Sequence, residues 1–168
     1  MKSKMPGSLN VDVNSTVSFQ EITEDTVIAI CKLSDTLSPQ QQKMVAPNAL
    51  SIAQAYFNKH FWFRAIYADD TPVGFLMLHD DPEEPRYFLW RFMIARPYQG
   101  LGYGARAIQL LVDHVRSRPG AKELLVSCEE GEASPEGFYK KQGFVRTGAL
   151  MGDEVVLALA LDQWKSIQ

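Results

Sequence analysis

The spacing of hydrophobic and polar positions changes period several times along this 168-residue chain. In TVSFQE, residues 16–21, apolar and polar positions alternate, the pattern of an edge strand. Over EDTVIAICKL, 24–33, Val27, Ile30 and Cys31 share one helical face, behind two acids suited to a first turn. Ser38-Pro39 opens a further helical segment that Pro47 interrupts, which predicts two short helices, 39–45 and 48–57. Strand-like runs follow: WFRAIYA (62–68), VGFLMLH (73–79) and RYFLWRFMI (86–94). The turn Asp69-Asp70-Thr71-Pro72 and the acidic loop from Asp80 to Pro85 separate them, as in an antiparallel meander. Helical spacing returns over 103–117, where Ala105, Ile108, Val112 and Val115 form one stripe with Leu111 beside it, ended by Pro119-Gly120. KELLVSC, 122–128, reads as a strand. Ser134-Pro135 starts a short helix that runs to Gln142, and Gly143 stops it. The segments 144–149 and 154–161 close the chain as two strands around Gly152-Asp153. The expected fold class is α+β, built on a mixed sheet.

Composition narrows this picture. Hydrophobic residues make up 46% and charged residues 22%, enough apolar material for one domain with a core of its own. Residues 1–14 read as a flexible N-terminal tail and 15–168 as a single domain. A net charge of −3 argues against a nucleic-acid binder. No apolar run approaches the ~20 residues of a membrane span, and MKSKMPGSLN lacks the apolar centre of a signal peptide. Cys31 and Cys128 have no metal-ligand spacing, so no metal and a reduced, cytoplasmic setting are expected.

RPYQGLGYGARAI, 96–108, carries the first chemistry. Gly100, Gly102 and Gly104 sit between a strand and a helix start. The first amides of a helix lack internal partners and the dipole adds positive charge there, so the segment 99–105 should cradle a phosphate or pyrophosphate. Gly100-Leu101-Gly102-Tyr103-Gly104-Ala105 also matches the dinucleotide fingerprint G-x-G-x-x-G/A. However, ARPYQ separates it from the strand, and the preceding strands are antiparallel, which disfavours a nicotinamide-dependent oxidoreductase. No Gly-Lys-Ser/Thr follows, which excludes a P-loop.

Gln99-x-x-Gly102-x-Gly104 resembles the Q/R-x-x-G-x-G/A pyrophosphate loop of the GCN5-related N-acetyltransferases. FLWRFMI resembles that family's fourth strand, and FYKKQGF, 138–144, its later Tyr-x-x-x-Gly-Phe segment. The wording FLWRFMI, YQGLGYG and SPEGFYKKQGF further resembles the bacterial spermine/spermidine branch. The resemblance implies the acyl-CoA N-acyltransferase fold: a mostly antiparallel sheet of about seven strands flanked by four to five helices. It implies acetyl-CoA as cofactor, its pyrophosphate held by the amides of Gln99, Gly100, Leu101, Gly102, Tyr103 and Gly104, with Ala105 starting the helix. The pantetheine arm would pair with Phe92, Met93 and Ile94, and the Ile94 amide would stabilise an oxyanion. Tyr139 takes the position of the acid that protonates the departing thiolate, with Ser134 and Phe138 beside the same arm. Glu132 and Pro135 stand where the family commonly has asparagine and alanine.

An alkyl amine has a pKa of about 10, so a base or a water relay is required. Residues 86–98 hold no acid, although some relatives carry a glutamate there. The candidates for a base are Glu83, Glu84, Glu129, Glu130 and His79. The patches Asp80-Asp81-Glu83-Glu84 and Glu129-Glu130-Glu132, with Trp62, Tyr87 and Trp90, would suit a polycation through ion pairing and cation–π contact. The expected activity is direct acetyl transfer to a small primary amine such as spermidine or spermine. Another amine, an aminoglycoside, or a non-catalytic acyl-CoA sensor are the alternatives. Exposed strand edges or the apolar 155–161 strand would serve a homodimer.

Overall fold

The computed structural model describes residues 10–165. Seven strands form one sheet in the order β1-β2-β3-β4-β5-β7-β6. They are β1 (Val17–Gln20), β2 (Phe61–Ala68), β3 (Thr71–Asp81), β4 (Arg86–Ile94), β5 (Glu123–Cys128), β6 (Val145–Met151) and β7 (Glu154–Ala160). Five helices accompany them: α1 (Val27–Lys32), α2 (Pro39–Met44), α3 (Asn48–Tyr56), α4 (Tyr103–Arg116) and α5 (Glu136–Lys141). This is the expected α+β architecture, strand for strand.

Local chemistry explains the boundaries. Ser38 accepts from the Gln41 amide while the Gln41 side chain accepts from the Ser38 amide, a reciprocal cap that starts α2. The acids Glu24 and Asp25 fall in the turn before α1 rather than in its first turn, and the helix tightens into a 3-10 turn over Leu33–Thr36. The β2–β3 turn is shorter than the sequence suggests. Asp69 adopts φ 49, and Pro72 already lies in β3 opposite Tyr67, where a bulge spares the missing proline amide.

Helix α4 lays its apolar stripe, Ala107, Ile108, Leu111, Val112 and Val115, on one face of the sheet. The α1–α3 side covers the other face through Ile30, Leu33 and Leu37. The expected tail over 1–14 falls partly outside the described residues, and where it is described it is docked. Val11 is buried, Tyr103 Oη donates to the Asp12 carbonyl at 2.6 Å, and Arg106 Nη1 donates to the Ser15 carbonyl at 2.6 Å.

The feature that positions the site is the one parallel pairing among the described strands. β4 and β5 pair over just Tyr87–Leu89 and Leu124–Val126. Beyond Leu89 they diverge, leaving a wedge between them. β4 also bulges against β3 between Met77 and Leu78.

Candidate active site

The wedge opens into a cleft of about 1190 Å³, walled by β4 from Phe88 to Ile94, the glycine turn, the end of β5, α5 and the β6–β7 turn. Ala95 donates its amide to the Val73 carbonyl across the β3–β4 ladder at 2.8 Å. Alternation along the strand therefore turns the N–H and C=O of Ile94 and Phe92 the other way, into the wedge. The Ile94 carbonyl accepts from Gln99 Nε2 at 2.9 Å. The Ile94 amide stays available for a ligand chain laid along the strand. The Met93 side chain is buried in the core on the α3 side, where its sulfur receives Asn48 Nδ2 at 3.7 Å.

At the head of the cleft, Gly100 and Gly102 have φ of +79° and +80°. Gly102 is the N-cap of α4 and offers no capping side chain, and the first helical bond is donated by the Arg106 amide. The amides of Tyr103, Gly104 and Ala105 thus precede the ladder, as an anion site requires. A Cβ on Gly104 would lie 3.2 Å from the Phe138 ring, so this glycine lets α5 close against α4. Arg106 braces the turn from behind through the Leu101 carbonyl at 3.0 Å and the Gly102 carbonyl at 3.3 Å. Gln41 Nε2 reaches Gln99 Oε1 at 3.1 Å. Tyr103 contributes backbone to the turn while its ring is core, and the Leu101 side chain packs into the core.

Tyr139 lines the cleft with its ring edge-on to Phe138 and Phe144, and Phe138 stacks on Phe92 at 5.8 Å. Burial, then the neighbouring Cys128 and Glu154, push its phenol well above the usual value, so it remains protonated at any physiological pH. Burial likewise raises the Cys128 thiol, which disfavours a nucleophilic cysteine. Ser134 hydrogen-bonds that thiol and accepts from the Glu136 amide, starting α5.

The acidic candidates separate. Glu129 lines the cleft. Glu130 instead faces Arg146 at 2.6 Å outside it, and Glu132 is exposed and does not line it. Glu83 and Glu84 do not reach the site. They sit in the β3–β4 turn, where both amides donate to Asp81, at the end of β4 opposite Ile94, roughly 26 Å away at the rise of a strand. Their neighbours are structural. Asp80 pairs with Arg118 at 2.9 Å, Tyr87 Oη donates to the Pro119 carbonyl, and Trp62 stacks on His114 at 4.1 Å. His79 packs against Phe61 and His60 away from the cleft. Trp90 does line it, and its indole N–H is buried with no hydrogen-bond partner among the described residues.

Among the cleft residues that the sequence did not single out are Glu154 and Arg91. Glu154, first in β7, is half-buried and accepts a short hydrogen bond from Ser127 Oγ. Arg91 is held by the Trp90 carbonyl at 2.8 Å and Gln54 at 3.4 Å, and its Nε has no partner among the described residues. No apolar-stripe or motif argument singles out a glutamate after a Gly-Asp turn. Its place becomes visible only once β7 pairs with β5.

These features agree with what the chain is similar to. The family described as "Acetyltransferase (GNAT) family" matches residues 29–144. The Bacillus subtilis (strain 168) spermine/spermidine N(1)-acetyltransferase is 24% identical over 140 residues, 80% of this chain and 91% of that protein. The N-acetyltransferase YycN of the same organism is 29% identical over 98 residues, 57% of this chain, and the match spans 62% of the length of YycN. The crystal structure of the PaiA N-acetyltransferase from Thermoplasma acidophilum in complex with coenzyme A superposes with a TM-score of 0.63 at 15% identity, covering 86% of this chain and 99% of that one.

Proposed function

Because this chain belongs to the GNAT family of acetyltransferases, we propose that it transfers an acetyl group from acetyl-CoA directly to the primary amine of a small molecule. The observation that carries this reading is the wedge between β4 and β5, with uncapped amides at its head and Tyr139 in its wall. The residues present fit the cofactor: unpartnered amides at Tyr103–Ala105 suit a pyrophosphate, and the open Ile94 edge suits an amide-bearing arm. Acetyl-CoA supplies an activated thioester. The chain's own groups do the rest. Ile94 N–H points where a carbonyl oxygen would gain charge. Tyr139 holds a proton at Oη for a leaving thiolate. Cys128, protonated and buried, stays out of the chemistry.

A polyamine is the finer reading. It is supported by the likeness to the spermine/spermidine enzyme and by Glu129, Asp153 and Glu154 along the acceptor side of the cleft. The test is release of CoA thiol from acetyl-CoA with spermidine, beside an aminoglycoside and a short peptide, for the wild type and Tyr139→Phe. Release with spermidine that drops about 100-fold in the variant is the expected result. Tight acetyl-CoA binding with no release for any amine would replace the enzyme by a sensor.

A further inference from the structure

The acceptor amine arrives as an ammonium ion, and β4, the strand facing the wedge, has no carboxylate to receive its proton. The geometry points to Glu154 as the residue that binds the acceptor's ammonium group and takes its proton. This inference rests on the reading of the cleft as an amine acetyltransferase.

Three observations select Glu154 over the other acids. It lines the cleft, as Tyr139, Ser127 and Arg91 do. Ser127 Oγ donates to its Oε2, which fixes the carboxylate in one orientation and leaves Oε1 for a ligand. It stands next to Val155, which pairs with Cys128 on β5, and its charge is felt at Cys128, at Tyr139 on α5 and at Arg91 on β4. Glu129 and Asp153 also line the cleft, but both are exposed and, among the described residues, neither carboxylate is oriented by a hydrogen bond. Arg91 is a positioning residue. Its guanidinium is half-buried and feels the charge of Glu154 without forming an ion pair with it among the described residues.

The step balances simply. An N–H bond of the ammonium breaks, its electron pair stays on nitrogen, and the proton goes to Glu154 Oε1. The neutral acid then returns the proton to water at the mouth of the cleft. A free carboxylate is a weaker base than an alkyl amine by roughly six pH units. Glu154 therefore holds the ammonium first. Transfer to Glu154 is uphill by itself and completes as the lone pair it frees bonds to the thioester carbon; the second N–H proton, acidic once that bond exists, balances the one Tyr139 gives to the departing thiolate.

The experiment compares wild type and Glu154→Gln in steady-state thiol release from pH 5 to 9, with acetyl-CoA affinity measured by calorimetry. Glutamine keeps the acceptor for Ser127 and cannot titrate. Of the other titratable and charged groups around this carboxylate, Arg91, Cys128, Glu129, Tyr139 and Asp153 all remain. The expected result is a fall in kcat of about 100-fold or more, loss of the acidic limb of the kcat profile, and unchanged acetyl-CoA affinity. Glu154→Asp should recover part of the rate and the limb. Equal kcat, or a lower kcat with the limb intact, would falsify the proton role. A wild type that binds acetyl-CoA yet acetylates no amine overturns the parent reading together with this one.

Discussion

At Tyr139 and Gly102 single atoms decide the chemistry. Tyr139 has a phenol pushed up by burial. Because the folded value exceeds the unfolded value of about 10, the unfolded chain loses this proton first, so the stability attached to it is present below pH 10 and declines above it. The kcat profile should accordingly show no alkaline limb from Tyr139 below pH 10, and Tyr139→Phe should lower kcat while leaving the profile's shape unchanged. At Gly102, φ of +80° puts an L-residue in a conformation costing about 1–2 kcal/mol. Gly102→Ala should weaken acetyl-CoA binding about tenfold or more, read by calorimetry. The left-handed glycines were legible in the sequence, since only their residue type and spacing were needed. The Arg106 guanidinium that clamps the Leu101, Gly102 and Ser15 carbonyls was not, because it joins the turn to residues 91 positions away.

Between elements, charge links the short helix α5 to the edge strand β6. Arg146 contacts Glu136 and Glu130, and Lys140 contacts Glu136 at 2.8 Å. The guanidinium and ammonium beside Glu136 hold its carboxyl down to about 2. A folded value below the unfolded one of about 4.3 means that this contribution is complete above that pH and is lost as pH falls toward 2. Melting curves of Arg146→Ala between pH 6 and 2 should lie closer together than those of the wild type. The exposed setting makes the difference small. The elements themselves were read well where periodicity is local: all seven strands and five helices appear. What failed was assignment of the acidic loop Glu83-Glu84 to the cleft. A loop's position along the chain does not say at which end of its strand the sheet opens. Glu83→Gln with Glu84→Gln should therefore leave the Michaelis constant for spermidine unchanged.

For the molecule as a whole, the two faces of the sheet are closed by α4 on one side and α1–α3 on the other, and the N-terminal segment is part of that closure. Leu111, fully buried on the sheet-facing side of α4, should cost about 2–5 kcal/mol on Leu111→Ala, measured by denaturant unfolding. Tyr103→Phe removes only the hydroxyl bond to Asp12 and should cost about 1 kcal/mol. A chain beginning at Thr16 would lose Val11 and both carbonyls that Tyr103 and Arg106 grip, and should melt lower than either substitution alone. Nothing in the composition of 1–14 announces this docking. It arises because Tyr103 and Arg106 leave α4 toward the same edge.

The wedge has a consequence for the molecule as a mechanical object. Four strands stand on one side of it and three on the other, and the backbone joins them through three residue pairs near Tyr87 and Leu124. That backbone seam is short, and the core packed beneath α4 carries the rest of the connection. A ligand lying along the open edge of β4 would span the gap like a splint, stiffening the two halves into one unit. Amide protons of Phe92 and Ile94 would then slow their exchange with solvent on binding, and the melting transition would sharpen and rise with ligand concentration.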